Sequence, residues 1–106
     1  MAFSIKQNDT SPALQATLKD TSLAAVDLTG ATVRFHMNSI EGTSKIDAVM
    51  AVTDALGGVV QYDWQAGDTD TFGTYYVEFQ VTFPDSSVET FPNNGNKVVS
   101  IVRELN

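Results

Sequence analysis

The chain has 106 residues, 42% of them hydrophobic, with a formal net charge of −7. That length fits one domain spanning 1–106, and the apolar fraction excludes a disordered chain. With no cysteine, disulfides, thiolate metal sites and thiol catalysis are excluded.

Strand patterns recur along the chain. Phe3–Gln7 alternates apolar and polar residues and is broken by Asn8-Asp9-Thr10-Ser11-Pro12. Ala13–Lys19 alternates again, with Leu14, Ala16 and Leu18 on one face. A long turn follows from Asp20 to Gly30, in which Val26 and Leu28 read as anchors packed under the loop. Ala31–Asn38 places Val33, Phe35 and Met37 opposite Thr32, Arg34 and His36. Lys45–Thr53 alternates weakly, which suits a strand buried on both faces or one at an edge. Its outer positions Val49 and Ala51 lack the charges that guard free edges, so an edge is the expectation.

Asp54–Gly58, with its Gly-Gly pair, predicts a hairpin turn into Val59–Trp64, where Val60, Tyr62 and Trp64 point inward. Gln65–Phe72 is a connection with room for one helical turn. The clearest run is Tyr75–Phe83: Tyr75, Val77, Phe79, Val81 and Phe83 share one face, and Tyr76, Glu78, Gln80 and Thr82 share the other. Ser87–Phe91 returns from the Pro84 turn, Pro92–Asn96 is a loop, and Lys97–Leu105 is the last strand. Many short strands without helical periodicity predict an all-β fold, an immunoglobulin-like antiparallel β-sandwich of about 7–9 strands. The predicted core is Leu14, Leu18, Val33, Phe35, Tyr62, Trp64, Tyr75, Val77, Phe79 and Val81.

The sequence offers no catalytic, cofactor-binding or metal residue. His36 is the single histidine and lies on a polar strand face, so neither a Ser-His-Asp site nor a two-histidine zinc site can be built. Asp63, Asp68 and Asp70 lack the spacing of a calcium loop and read as turn caps. Glu78 and Glu89 read as solvated strand residues rather than a glycosidase pair. Gly57-Gly58 is not a phosphate loop, because no Lys-Ser or Lys-Thr follows. The six cationic residues Lys6, Lys19, Arg34, Lys45, Lys97 and Arg103 are scattered, so no nucleic-acid partner is expected. No segment approaches the ~20 apolar residues of a spanning helix, and the first residues do not form a signal peptide, so no membrane partner is expected and synthesis is expected in a cytoplasm. Low-specificity interaction candidates are Val49, Ala51, Tyr76 and Phe72, as unguarded apolar or outward aromatic positions.

Three segments carry a family resemblance: Phe3-Ser4-Ile5-Lys6-Gln7-Asn8-Asp9-Thr10-Ser11-Pro12, the stretch Val26-Asp27-Leu28-Thr29-Gly30-Ala31-Thr32-Val33-Arg34-Phe35-His36-Met37, and Tyr62-Asp63-Trp64-Gln65-Ala66-Gly67-Asp68-Thr69-Asp70-Thr71-Phe72-Gly73-Thr74-Tyr75-Tyr76-Val77-Glu78-Phe79 with the later Phe91-Pro92. Together they resemble the amino-terminal domain of the tailed-bacteriophage baseplate upper protein family. The resemblance implies an immunoglobulin-like sandwich without enzymatic activity or cofactor. It implies a structural component of a virion tail, baseplate or head–tail adaptor, docked on other tail proteins and homo-oligomeric in the particle. The alternative expectation is a stand-alone virion-surface module that adheres to host glycans through an exposed aromatic patch containing Tyr76 or Phe72.

Overall fold

The computed structural model describes residues 2–92 and 97–105, so the predicted Pro92–Asn96 loop lies outside the described residues except for Pro92. Among the described residues there are eight strands and no helix: β1 (Ala2–Lys6), β2 (Leu14–Thr17), β3 (Thr32–Ser39), β4 (Ser44–Asp54), β5 (Val59–Tyr62), β6 (Gly73–Thr82), β7 (Val88–Phe91) and β8 (Lys97–Val102). The strands run in the order β1-β8-β6-β3-β4-β5-β2. β8 pairs with the first half of β6, and β7 pairs with its second half. All pairs are antiparallel except β1 with β8. One layer is β1-β8-β6-β3 with β7; β4 then carries the sheet over into β5 and β2. The result is the expected immunoglobulin-like sandwich, wrapped nearly into a barrel.

Alternation places the core. On β3, Val33, Phe35 and Met37 are fully buried and stand opposite Val81, Phe79 and Val77 of β6. The Phe35 ring is the hub between layers. It stacks on Phe79 at 5.9 Å, meets Tyr62 at 4.9 Å and meets the edge of Trp64 at 6.1 Å. Each such ring, fully buried, contributes about 1.5–3 kcal/mol. All ten predicted core residues are buried, joined by Ile5, Phe91, Val99 and Ile101 among others. Val26 and Leu28 do pack under their loop.

Two local features reflect backbone demands. Gly58 has φ of +69°, and a Cβ there would meet the Leu18 carbonyl oxygen at 2.7 Å, so only glycine fits this start of β5. At the other end of the molecule, the buried Tyr75 hydroxyl donates to the Thr71 carbonyl at 2.7 Å. This is the tyrosine corner typical of immunoglobulin-like sandwiches, which fixes the chain entering β6.

One expectation is corrected. β4 is not the last strand of the sheet, yet its neighbours are staggered: Ser44–Met50 pairs with β3 and Ala51–Asp54 pairs with β5, so no β4 residue in these registers has a strand on both sides. Its inward positions Ile46 and Met50 are buried, whereas Val49 and Ala51 point outward from the sheet. Alternation reports which face a residue takes and is silent on whether a strand has two neighbours. The 11-residue length of β4 is what lets it serve both layers.

Candidate functional site

The connection between β5 and β6 is held by polar contacts that begin with its aspartates. Asp68 accepts the Tyr62 hydroxyl at 2.6 Å and the Gln65 amide at 2.8 Å. Burial, then the bond to Asp68, pushes the Tyr62 phenol well above the usual tyrosine range. Thr69 is a buried polar residue, and its hydroxyl donates to the Asp9 carbonyl at 2.8 Å. Lys45 of β4 donates to Asp70 at 2.6 Å and to the Gly67 carbonyl at 3.3 Å. That hydrogen bond, with one from Thr71, holds the Asp70 carboxyl below the usual carboxylate range. Of the predicted caps, Asp68 accepts a backbone amide, whereas Asp63 accepts from the Gln61 side chain and Asp70 from the Lys45 and Thr71 side chains. Asp63, Asp68 and Asp70 each hold a separate partner rather than converging.

This tied connection presents Phe72, whose ring lies 4.5 Å beneath the Arg103 guanidinium and remains 47% exposed. Tyr76 projects from the outer face of β6, between Asn38 of β3 and Val98 of β8, and is 39% exposed. Between them stands Ile40, at the β3–β4 turn, 59% exposed. Two adjoining hollows share Ser39 and Ile40. One, about 190 Å³, is also lined by His36, Asn38, Tyr76 and Glu78; the other, about 280 Å³, by Glu41, Phe72 and Thr74. The end of the molecule is thus an aromatic and aliphatic ledge with amide, hydroxyl and carboxylate groups in its hollows.

The sequence candidates separate into two places. Phe72 and Tyr76 come together at this ledge, while Val49 and Ala51 line a different shallow hollow with Gln61, Asp63 and Gln65. Ile40 was not a sequence candidate. An isoleucine inside the polar turn Ser39-Ile40-Glu41-Gly42-Thr43 was the available signal, because turn chemistry does not require it.

His36 sits beside the ledge. Its Nε2 lies 3.2 Å from Asp47, which also accepts from Arg34 Nε at 2.8 Å. The Arg34 guanidinium chiefly holds the Asp47 carboxyl below its ordinary value. Among the described residues, no three His, Cys, Asp or Glu side chains are grouped to hold a metal ion. Glu78 and Glu89 are not paired across strands: Glu78 stands opposite His36, and Glu89 opposite Val81.

No protein-family model matches the chain, and no curated protein matches it. Among solved structures it is similar to CopC from Methylosinus trichosporium OB3b. The TM-score is 0.57 at 10% sequence identity, covering 98% of this chain and 86% of that one. At that identity the likeness shows the fold, a β-sandwich of the same general class.

The comparison corrects the expected role. The likeness runs to CopC, which has no link to phage baseplate proteins, and no family model supports the motif resemblance. The assignment to a virion tail, baseplate or head–tail adaptor, with its virion-surface alternative, is therefore overturned. The physical reason lies in the motif residues themselves. Asp27 accepts the Thr29 amide and hydroxyl, Thr69 ties to Asp9, and Tyr75 forms the corner. These are residues that a sandwich needs to turn and pack, whatever it does.

Proposed function

We propose that the chain is a non-enzymatic recognition domain that docks a protein partner through the Ile40–Phe72–Tyr76 ledge. The observation that carries this reading is the gathering of three exposed apolar side chains, from three separate segments, around two adjoining hollows. Scattered exposed apolar residues are ordinary, but a contiguous group on a firmly held scaffold marks an interaction surface. Aromatic residues give large contact area for little conformational entropy, which suits them to interfaces.

The charge selects the partner's chemistry. Glu41 and Glu78 line the two hollows, and neither forms an ion pair with a described residue. The chain itself carries −7. A partner surface with apolar and basic side chains gains from both features, whereas a second copy of this acidic chain meets like charge.

Photo-crosslinking tests the reading. A benzophenone amino acid replaces Phe72 in one variant and Leu56, exposed in the β4–β5 turn, in another. Irradiation in the cells that make the protein is expected to yield a protein adduct from position 72 and none from position 56. Tyr76→Ala in the same chain should abolish the adduct. A carbohydrate adduct, an adduct with a second copy only, or equal yields from both positions overturns the proposal.

A further inference from the structure

The seam where the wrapped sheet fails to close holds a second feature. Among the described residues β2 pairs only with β5, and its other side faces β7 and β8 across a seam. A hollow of about 210 Å³ lies in that seam, lined by Thr17, Leu18, Lys19, Phe91, Pro92 and Lys97. Leu18 and Phe91, each 2% exposed, lie at its base and present little surface to it.

Two of the six cationic side chains of this acidic protein line this one hollow. Neither Lys19 nor Lys97 forms an ion pair with any described residue. Of the other four, Arg34 and Lys45 hold aspartates, Arg103 lies over Phe72, and Lys6 likewise forms no ion pair with a described residue. Lys97 is half-buried, with its ammonium 5.7 Å from the centre of the Phe79 ring. Burial pulls its pKa below the usual lysine range. A partly desolvated ammonium without a counter-charge is unfavourable, and an anion placed beside it relieves that.

We propose that this hollow is a binding site for an organic carboxylate, with the headgroup between Lys19 and Lys97 and an apolar substituent against Pro92. The carboxylate can belong to a free acid or to an acidic side chain of a peptide, since both present the same headgroup. The site is separate from the Ile40–Phe72–Tyr76 ledge and stands independently of it.

Amide-detected NMR titration of the whole chain tests the proposal with three probes: phenylacetate, its neutral analogue phenylacetamide, and a blocked Leu-Asp-Leu peptide. Saturable shifts at Thr17, Leu18, Lys19 and Lys97 are expected with phenylacetate, the peptide or both, and not with phenylacetamide. Response to phenylacetate assigns a free acid, and response to the peptide alone assigns an acidic side chain. Lys97→Met, which keeps the aliphatic stem, should weaken binding about tenfold or more, equivalent to about 1.4 kcal/mol. Because Lys97 is half-buried, Lys19→Gln at an exposed position supplies a second variant that leaves the fold untouched, with weaker binding expected. Absence of saturable shifts with both carboxylates, equal binding of phenylacetamide, or unchanged affinity in Lys19→Gln and a folded Lys97→Met overturns it.

Discussion

Tyr75 and Tyr76 are neighbours on β6 and have opposite fates. Tyr75 is 5% exposed and its hydroxyl anchors the preceding connection through Thr71. Tyr76 is 39% exposed and stands at the rim of a hollow with His36 and Glu78. The difference is one residue of register, because successive strand residues face opposite ways. The inner face of β6 builds the sandwich and the outer face is free to meet something else. Contacts on the inner side should therefore be read out as stability, and those on the outer side as recognition.

The largest effect expected is on the inner face. Phe79→Ala removes a ring that stacks on Phe35 and is 1% exposed, and should destabilise by roughly 3–5 kcal/mol. A urea melt measures it, and an unchanged midpoint would break the inner/outer division. Gly58→Ala comes next. It places a side chain at positive φ against the backbone of Leu18 and Val26, so a loss of about 1–3 kcal/mol is expected by thermal or urea unfolding. No such loss should follow Gly42→Ala from crowding, since nothing lies near its Cβ direction; its strain comes from φ alone.

The tyrosine pair sharpens the contrast. Tyr75→Phe deletes the corner hydrogen bond and should lower stability by about 1 kcal/mol, measured in urea. Tyr76→Phe should leave the melt unchanged. Tyr76→Ala should also stay within about 0.5 kcal/mol of wild type in stability, yet lose the position-72 crosslink. A Tyr76→Ala chain that melts like Tyr75→Ala would place Tyr76 in the structural frame and remove the recognition reading.

Much of this division was legible in the sequence. Period-two alternation identifies the buried faces of β3 and β6 residue by residue, because burial on one side of a sheet imposes that period. The place of β4 was not legible, since the same alternation is compatible with a terminal strand and with one whose two halves pair with different neighbours. The ledge was half legible. Tyr76 and Phe72 stand out as outward aromatics, but only tertiary folding brings the 65–72 connection beside the Ile40 turn, through bonds such as Asn8 to Thr69 and Lys45 to Asp70. Motif resemblance misled for a related reason. Gly30 at φ +73°, Thr69 and Tyr75 serve turns and packing, so their order encodes a sandwich more strongly than a role.

The smallest effect expected lies in the polar contacts that hold the ledge in place. The Asp70 carboxyl is held below its ordinary value of 3.8, chiefly by the hydrogen bond from Lys45. Asp47 is lowered chiefly by Arg34, and Asp27 and Asp85 by hydroxyl and amide donors of Thr29 and Ser87. A carboxyl whose pKa is lower in the folded chain than in the unfolded one favours folding above its unfolded value. That contribution fades as pH falls through the folded value. Stability should therefore decline below about pH 4, with each exposed pair adding little. Asp70→Asn should flatten this acid dependence slightly while leaving the neutral melt nearly unchanged. Because Asp70 and Lys45 tether the connection that carries Phe72, the same variant should weaken the position-72 crosslink more than it lowers the melting midpoint. An equal fall in both would mean that the exposed Lys45–Asp70 tie does not position Phe72 independently of the core.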